Sequence, residues 1–334
     1  MMEILFYLSG EHENMSKIEV QSLLENHNQE YEILEDLEQI LVCRIDDCSL
    51  EIFNRLAMTH SIHSYHGSCA AELNEILLLA ENLGPVSESY CVRVQRIEGC
   101  SPKLSTLMLE REIGAAIKGD KVDLKNPDIH VQGYLSQDQF LLTKLIQNLN
   151  RSEILKRTPH LRPYFHPSSI SPILSRTICN ICGVTKGKTV FDPFCGTGGL
   201  LIEAGLLGAT LHGSDIDSEM VAGCSENLSH YNLNASLEIC DATQLKSSEI
   251  FDIVITDPPY GRASTTMGID IKTLYQKAAT SIFKTLKPKG NACILSPHTL
   301  QLEEIAENAG FSILKSCSIR IHKSLTRKIV FLSK

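Results

Sequence analysis

From residue 167 onward, short apolar runs alternate with stretches of helical periodicity, and this leaves few architectures open to the chain. A mostly parallel sheet with crossover helices buries such strands on both faces. Strands are expected at 189–192, 209–215, 236–240, 251–256 and 291–296, with two last ones near 312–321 and 328–332, seven in all. A helix over 271–286 should stop at the breaker LKPKG. Nine of the 20 glycines fall between Gly183 and Gly223, so the turns of this α/β domain, taken as 167–334, are concentrated at its start.

Upstream, four of the 12 prolines stand at 159, 163, 167 and 172, a spacing no continuous helix or central strand tolerates. Residues 151–166 are therefore expected to be a linker. The N-terminal half mixes strand-like runs (MEILFYL, SYCVRVQRI, DIHVQGYL) with helical ones (SKIEVQSLLEN, LSTLMLEREIGAAIKG) and reads as two α+β units, 1–58 and 59–150. The richest apolar runs carry Glu75, Glu81 and Glu203, so no membrane span is expected. A start without a basic leading segment points to the cytosol, where the 12 cysteines would stay reduced. The CxxC of Cys179 and Cys182 has no second pair to complete a zinc site. His60, His63, His66 and Cys69 recur every three residues but lack a carboxylate partner; no metal is assigned to them, although the sequence leaves that possibility open.

The formal charge of −9 argues against a nonspecific nucleic-acid coat protein. Its distribution is uneven: residues 1–58 carry three bases against thirteen acids, a net of −10, whereas 59–150 carry a net of −3. Basic stretches at 151–166 and 311–334 flank the C-terminal half and read either as solvated faces or as a phosphate track.

The segment TVFDPFCGTGGLLIEAGLLG runs from a strand through Gly196, Gly198 and Gly199 into a helix, a loop that lets backbone amides approach a ligand. Its glycines do not match GxGxxG. Asp192 stands where a carboxylate would repel a pyrophosphate yet accept from a cationic amino-acid group, so S-adenosylmethionine is favoured over NAD. Asp215 ends the second strand and suits ribose hydroxyls, and Asp241 ends the third and suits an adenine amine. Taken singly, Asp241 and Asp217 also suit helix caps.

The fourth strand ends in TDPPYG. Two prolines stiffen the backbone so that Asp257 and the Pro258 carbonyl become fixed acceptors beside the cofactor, and Tyr260 offers a flat face. That set suits an exocyclic amine of a nucleobase, whose delocalised lone pair must be drawn onto nitrogen and aimed at a methyl group.

DPFCGTGGLLIEAG, GSDID and TDPPYGR, with RPYFHPSSISPILSR before them and HKSLTR after, resemble the archaeal tRNA guanine-10 N2-methyltransferases. The resemblance implies a Rossmann-like methyltransferase domain preceded by a ferredoxin-like unit and a THUMP domain that binds RNA. It implies one or two methyl transfers to guanosine 10 of tRNA, with Asp192, Gly196, Gly198, Asp215 and Asp241 on the cofactor and Asp257, Pro258 and Tyr260 on the base. It leaves room for a small activating subunit, although a chain with its own RNA module and active site is expected to work as a monomer. If THUMP binds tRNA, Arg93, Arg96, Lys103, Lys118 and, from the linker, Arg162 are expected to meet it. Competing readings are an amino-methyltransferase for another guanosine of tRNA or rRNA, or for adenine or cytosine in DNA, and a catalytically silent RNA-binding scaffold. A nicotinamide oxidoreductase is disfavoured by the missing GxGxxG.

Overall fold

The computed structural model describes residues 1–334 apart from 13, 47, 85, 98–103, 120, 247–248, 262–269 and 323–324. The chain divides into two compact units, one of Met1–Glu11, His27–Asn54 and Thr59–Asn150, the other of His12–Asn26, Arg55–Met58 and Arg151–Lys334.

The first unit is built on strands β1 (Met2–Leu8), β2 (Tyr31–Leu37), β3 (Ile40–Ile45), β4 (Thr59–Ala70), β5 (Tyr90–Arg96), β6 (Ile129–Ser136) and β7 (Gln139–Asn148). They form one sheet in the order β2-β3-β1-β4-β7-β6-β5, antiparallel except for β5 against β6. The helix α1 (Met15–Asn26) belongs to the second unit, while α2 (Leu73–Glu81) and α3 (Thr106–Ala116) share a core with the first unit's sheet. That core alternates along the strands: Val92, Val94, Val131 and Leu142 meet Ile76, Ala80, Leu109 and Ile113.

The expected cut at residue 58 does not separate two compact units. β4 begins at Thr59 and pairs with β1 on one side and β7 on the other, so 1–58 and 59–150 share a sheet. Nor does 1–58 hold together as one unit, because α1 carries a buried carboxylate tied elsewhere. Glu19 accepts from the amides of Ala57 and Met58 at 2.9 and 2.8 Å and from Asn180 Nδ2 at 2.6 Å.

The second unit holds β8 (Thr189–Asp192), β9 (Thr210–Asp215), β10 (Ala235–Ile239), β11 (Phe251–Thr256), β12 (Leu286–Pro297), β13 (Ser312–His322) and β14 (Leu325–Ser333). Their order is β10-β9-β8-β11-β12-β14-β13, parallel up to β12 and antiparallel at β12–β14 and β14–β13. This is the expected mostly parallel, seven-stranded α/β sheet. Its helices are α4 (Arg151–Leu155), α5 (Pro172–Ile181), α6 (Gly199–Leu206), α7 (Ser218–His230), α8 (Ile271–Thr285) and α9 (Leu302–Asn308). Successive strand residues feed opposite faces. Val190, Ile253 and Ile255 pack in the cluster that holds Ile178 and Leu201, whereas Phe191 and Val254 pack in the one that holds Tyr275 and Ile282.

Two expectations change here. LKPKG lies inside β12 rather than between elements; the register shifts between Phe251 and Ile253, and Lys289 takes φ +62, so the breaker makes a bulge. Residues 151–166 do break into short pieces, α4 and a 3₁₀ turn over Pro159–Leu161, but they are fastened rather than free. Arg157 donates from Nε and Nη2 to the two oxygens of the fully buried Glu203 at 2.7 and 2.9 Å, and Arg176 Nε donates to the same carboxylate at 2.8 Å. Cys179 and Cys182 are buried, and the described cysteines are free thiols.

Candidate active site

The strand order β10-β9-β8-β11 reverses direction at β8, and the carboxyl ends on either side of that point are where an open parallel sheet leaves a crevice. Along this edge stand four carboxylates in spatial order: Asp241 after β10, Asp215 ending β9, Asp192 ending β8 and Asp257 after β11.

Asp192 is 2% exposed. Its Oδ1 accepts from Thr256 Oγ1 at 2.7 Å and from the Phe194 amide at 3.1 Å, and Oδ2 has no partner among the described residues. Burial, reinforced by the nearby Asp215 and Asp257 charges, pushes its pKa up to about 7 against the pull of those hydrogen bonds. Asp215 accepts from the Gly196 amide at 2.9 Å and from the Asp217 amide at 3.1 Å, and burial raises its pKa as well. Between them the loop turns through Gly196 (φ +49) and Gly198 (φ +82), left-handed conformations that favour glycine, before α6 begins. Asp241 serves locally: its Oδ1 accepts from Thr243 N and Oγ1, both at 2.8 Å, and Oδ2 from Gln244 Nε2 at 3.0 Å, so an adenine amine would have to share these oxygens. Asp217 caps α7.

Asp257 sits in a closed triad. Tyr260 donates to its Oδ1 at 2.5 Å, Arg327 Nη2 lies 3.1 Å from its Oδ2, and Arg327 Nε donates to the Tyr260 oxygen at 2.6 Å. The Pro258 carbonyl already accepts from Tyr275 Oη, at 3.3 Å, a donor shared with the Leu295 carbonyl at 3.1 Å. Burial raises the Asp257 pKa while Arg327 and Tyr260 oppose it.

Sequence reasoning missed Arg327 and Tyr275. Arg327 lies in HKSLTR and in the basic C-terminal stretch, but nothing local ties it to Asp257; the antiparallel β14 does so, by placing Arg327 opposite Pro297 at the carboxyl end of β12. Three lysines of the same stretch are paired: Lys315 with Glu25, Lys328 with Glu303 and Lys334 with Glu249, at 2.9, 2.6 and 2.8 Å.

The residues expected on RNA differ in their surroundings. Arg162 is 5% exposed and donates from Nε to the Arg157 carbonyl at 2.9 Å, so little of it is open to solvent. Arg93, exposed, donates to the Val92 carbonyl at 3.0 Å and faces Glu110 at 3.9 Å, and Arg96 donates to the Leu104 carbonyl. Lys118 is exposed, and Lys103 lies outside the described residues. Of the histidine series, His63 is 2% exposed, with contacts from Ser61, Tyr134 and Thr143 at 2.8, 2.9 and 3.2 Å; no metal-holding group is found among the described residues. Nor is any described helix long and apolar enough to cross a membrane.

Residues 159–329 match the family model described as "RMKL-like, methyltransferase domain". Over 335 residues the chain is 37% identical to the tRNA (guanine(10)-N2)-dimethyltransferase of Methanothermobacter thermautotrophicus, covering 98% of each. The chain belongs to the tRNA (guanine(10)-N2)-dimethyltransferase family. Its relative of that name from Methanocaldococcus jannaschii is 32% identical over 97% of each chain. Among solved structures, TrmN from Thermus thermophilus superimposes with a TM-score of 0.58 at 18% identity over 99% of each chain. SMU.472, a putative methyltransferase complexed with SAH, does so with 0.53 at 15%, over 99% of this chain and 98% of that one. At such identities these two show that the fold of this tRNA (guanine(10)-N2)-dimethyltransferase family member is a methyltransferase fold.

Proposed function

We propose that the chain methylates the exocyclic N2 amine of guanosine 10 in tRNA, adding two methyl groups, with S-adenosylmethionine as donor. The observation that carries this reading is the row of carboxylates at the sheet's switch point, with Asp257 held beside Asp192 in the TDPPYG turn. Relatives that cover nearly the whole chain and are named for that tRNA base supply the substrate.

The residues fit this cofactor. Asp192 has an oxygen without a partner among the described residues and a pKa pushed up to about 7, so a cationic ammonium against it would relieve an unfavourable burial. Asp215 orders the glycine loop through Gly196 and retains lone pairs for ribose hydroxyls. Asp241 keeps one acceptor position for an adenine edge at the end of the row.

S-adenosylmethionine, when bound, supplies an electrophilic methyl on a sulfonium. Asp257 then accepts an N–H of the guanine amine, which draws the lone pair out of the ring and toward the methyl. The Pro258 carbonyl accepts the second N–H with the lone pair that Tyr275 leaves. Tyr260, fixed at its hydroxyl, lays its ring against the base. The methylated amine sheds one proton to an Asp257 carboxylate oxygen, which passes it on to solvent, and the N–H that remains lets Asp257 hold the amine for the second transfer.

Residues 59–150, within the first unit, take the RNA-holding part of a THUMP module, with Lys118 and Arg93 among their exposed cations, and the enzyme acts in the cytosol as a monomer. Incubating the purified single chain with unmodified tRNA and methyl-labelled cofactor, then mapping the modified nucleoside, tests the proposal. Asp257→Asn should lower turnover by at least about a hundredfold while cofactor affinity stays within about threefold. Label appearing in DNA, in another nucleoside, or undiminished in Asp257→Asn would overturn it, as would tRNA and cofactor binding without turnover, the behaviour of a catalytically silent RNA-binding scaffold.

A further inference from the structure

We propose that Arg327 is a positioning residue for methyl transfer, holding Asp257 anionic and locking Tyr260 against it so that each Asp257 oxygen keeps one lone pair for the incoming amine. This deepens the methyltransferase reading above and rests on it for the reaction, though not for the ionisation.

The triad divides its hydrogen bonds evenly. Oδ1 of Asp257 takes the Tyr260 hydroxyl at 2.5 Å, Oδ2 takes Arg327 Nη2 at 3.1 Å, and Arg327 Nε closes the ring onto Tyr260 at 2.6 Å. A carboxylate oxygen accepts two hydrogen bonds, so each oxygen remains half open. The guanidinium carbon also lies 5.5 Å from the centre of the Tyr260 ring, so one side chain fixes the tyrosine at its oxygen and at its face. The side chains of Arg327 and Asp257 are only 10% and 16% exposed, which leaves their attraction little screened.

A group that must accept hydrogen bonds from an amine fails once it is protonated. Burial and the like charge of Asp192 on β8 favour that protonation. The Tyr260 hydroxyl, a neutral donor in the same turn, opposes it, while Tyr275 on α8 spends its own hydroxyl on the Pro258 and Leu295 carbonyls. Arg327 on β14 is the cation that faces it among the described residues. Its loss would raise an already elevated pKa, so activity that needs the anion would persist only at higher pH. Lysine at this position would return the charge without the planar fork that reaches both partners.

The test uses the full chain with Arg327→Met and Arg327→Lys. It reads kcat against pH at saturating tRNA and cofactor, cofactor Kd by calorimetry, and the carboxyl carbon NMR midpoint of Asp257 in aspartate-labelled protein, assigned by its absence in Asp257→Asn. For Arg327→Met the expectation is a kcat loss of about tenfold or more, and a rise of about one pH unit or more in both the acid limb and the NMR midpoint. Cofactor Kd should stay within threefold. Arg327→Lys should bring the midpoint back toward wild type while kcat stays depressed. If Arg327→Met does not fold, Arg327→Gln removes the charge and keeps an amide donor, with the same shift expected. A midpoint that does not move overturns the inference, because a merely structural arginine would lower kcat without moving it. If the wild-type chain transfers no methyl at all, the methyltransferase reading fails and the NMR midpoint still decides this one.

Discussion

Cofactor binding should depend on pH through Asp192. Its carboxyl is buried at the end of β8 and has one oxygen without a partner among the described residues, and burial pushes its pKa up to about 7. Because the proposed ligand presents an ammonium, it binds the ionised form, and the pKa of Asp192 must fall in the complex. Affinity is therefore highest above the free-protein pKa and declines as pH drops through it. Well below 7 the apparent Kd should rise about tenfold per pH unit, or ~1.4 kcal/mol, and it should reach its minimum near about pH 7.5. In this window the ligand's own α-amino group, near 7.7 to 8.0 in reference compounds, stays largely protonated and does not mimic the effect. Binding near pH 6 should release a proton in part or in full, measurable by titration calorimetry in two buffers of different ionisation enthalpy. Asp192→Asn should flatten the profile at the weak end, which separates its share from that of Asp215 and Asp257. A wild-type Kd that is constant between about pH 5 and 7.5 would refute the electrostatic account of this site.

Glu203→Gln should destabilise the second unit by about 3 kcal/mol or more, seen as a lower urea midpoint, because Arg157 and Arg176 would then be left close together without their carboxylate. Gly198→Ala should lower the melting temperature more than Gly196→Ala. Both sites have positive φ, but the new methyl at 198 would sit 2.8 Å from Cys224 Sγ, whereas at 196 its nearest neighbour is 4.0 Å away. Reversing Arg93 and Lys118 together to Glu should weaken tRNA binding and flatten its salt dependence; unchanged affinity in a filter-binding salt series would remove the first unit from the RNA interface.

The second unit was legible because its information is local. A strand buried on both faces needs an unbroken apolar run, and a loop approached by a ligand needs glycine, so β8, β9, β11 and the bends at Gly196 and Gly198 stand out in the sequence. Asp192, Asp215 and Asp257 follow because strand ends follow. What stayed hidden depends on pairing between distant segments. Glu19 looks like an ordinary helix-surface acid until Ala57, Met58 and Asn180 close over it, and this is why the apparent domain cut at 58 failed to define a compact unit. Arg162 and Arg327 look alike in a charge count. One is buried against the linker's own backbone and the other reaches the reacting aspartate, and only sheet topology separates them.

The last strand in sequence, β14, is not the last in space: it lies between β12 and β13. Until residues 325–333 have been synthesised, β12 has no neighbour on that side and β13 has nothing to pair with. The guanidinium that completes the triad arrives on the same strand. On the ribosome, closure of this sheet and arming of its aspartate would thus be a single event that waits for β14, so a variant whose β14 cannot pair would lose its chemistry along with its fold.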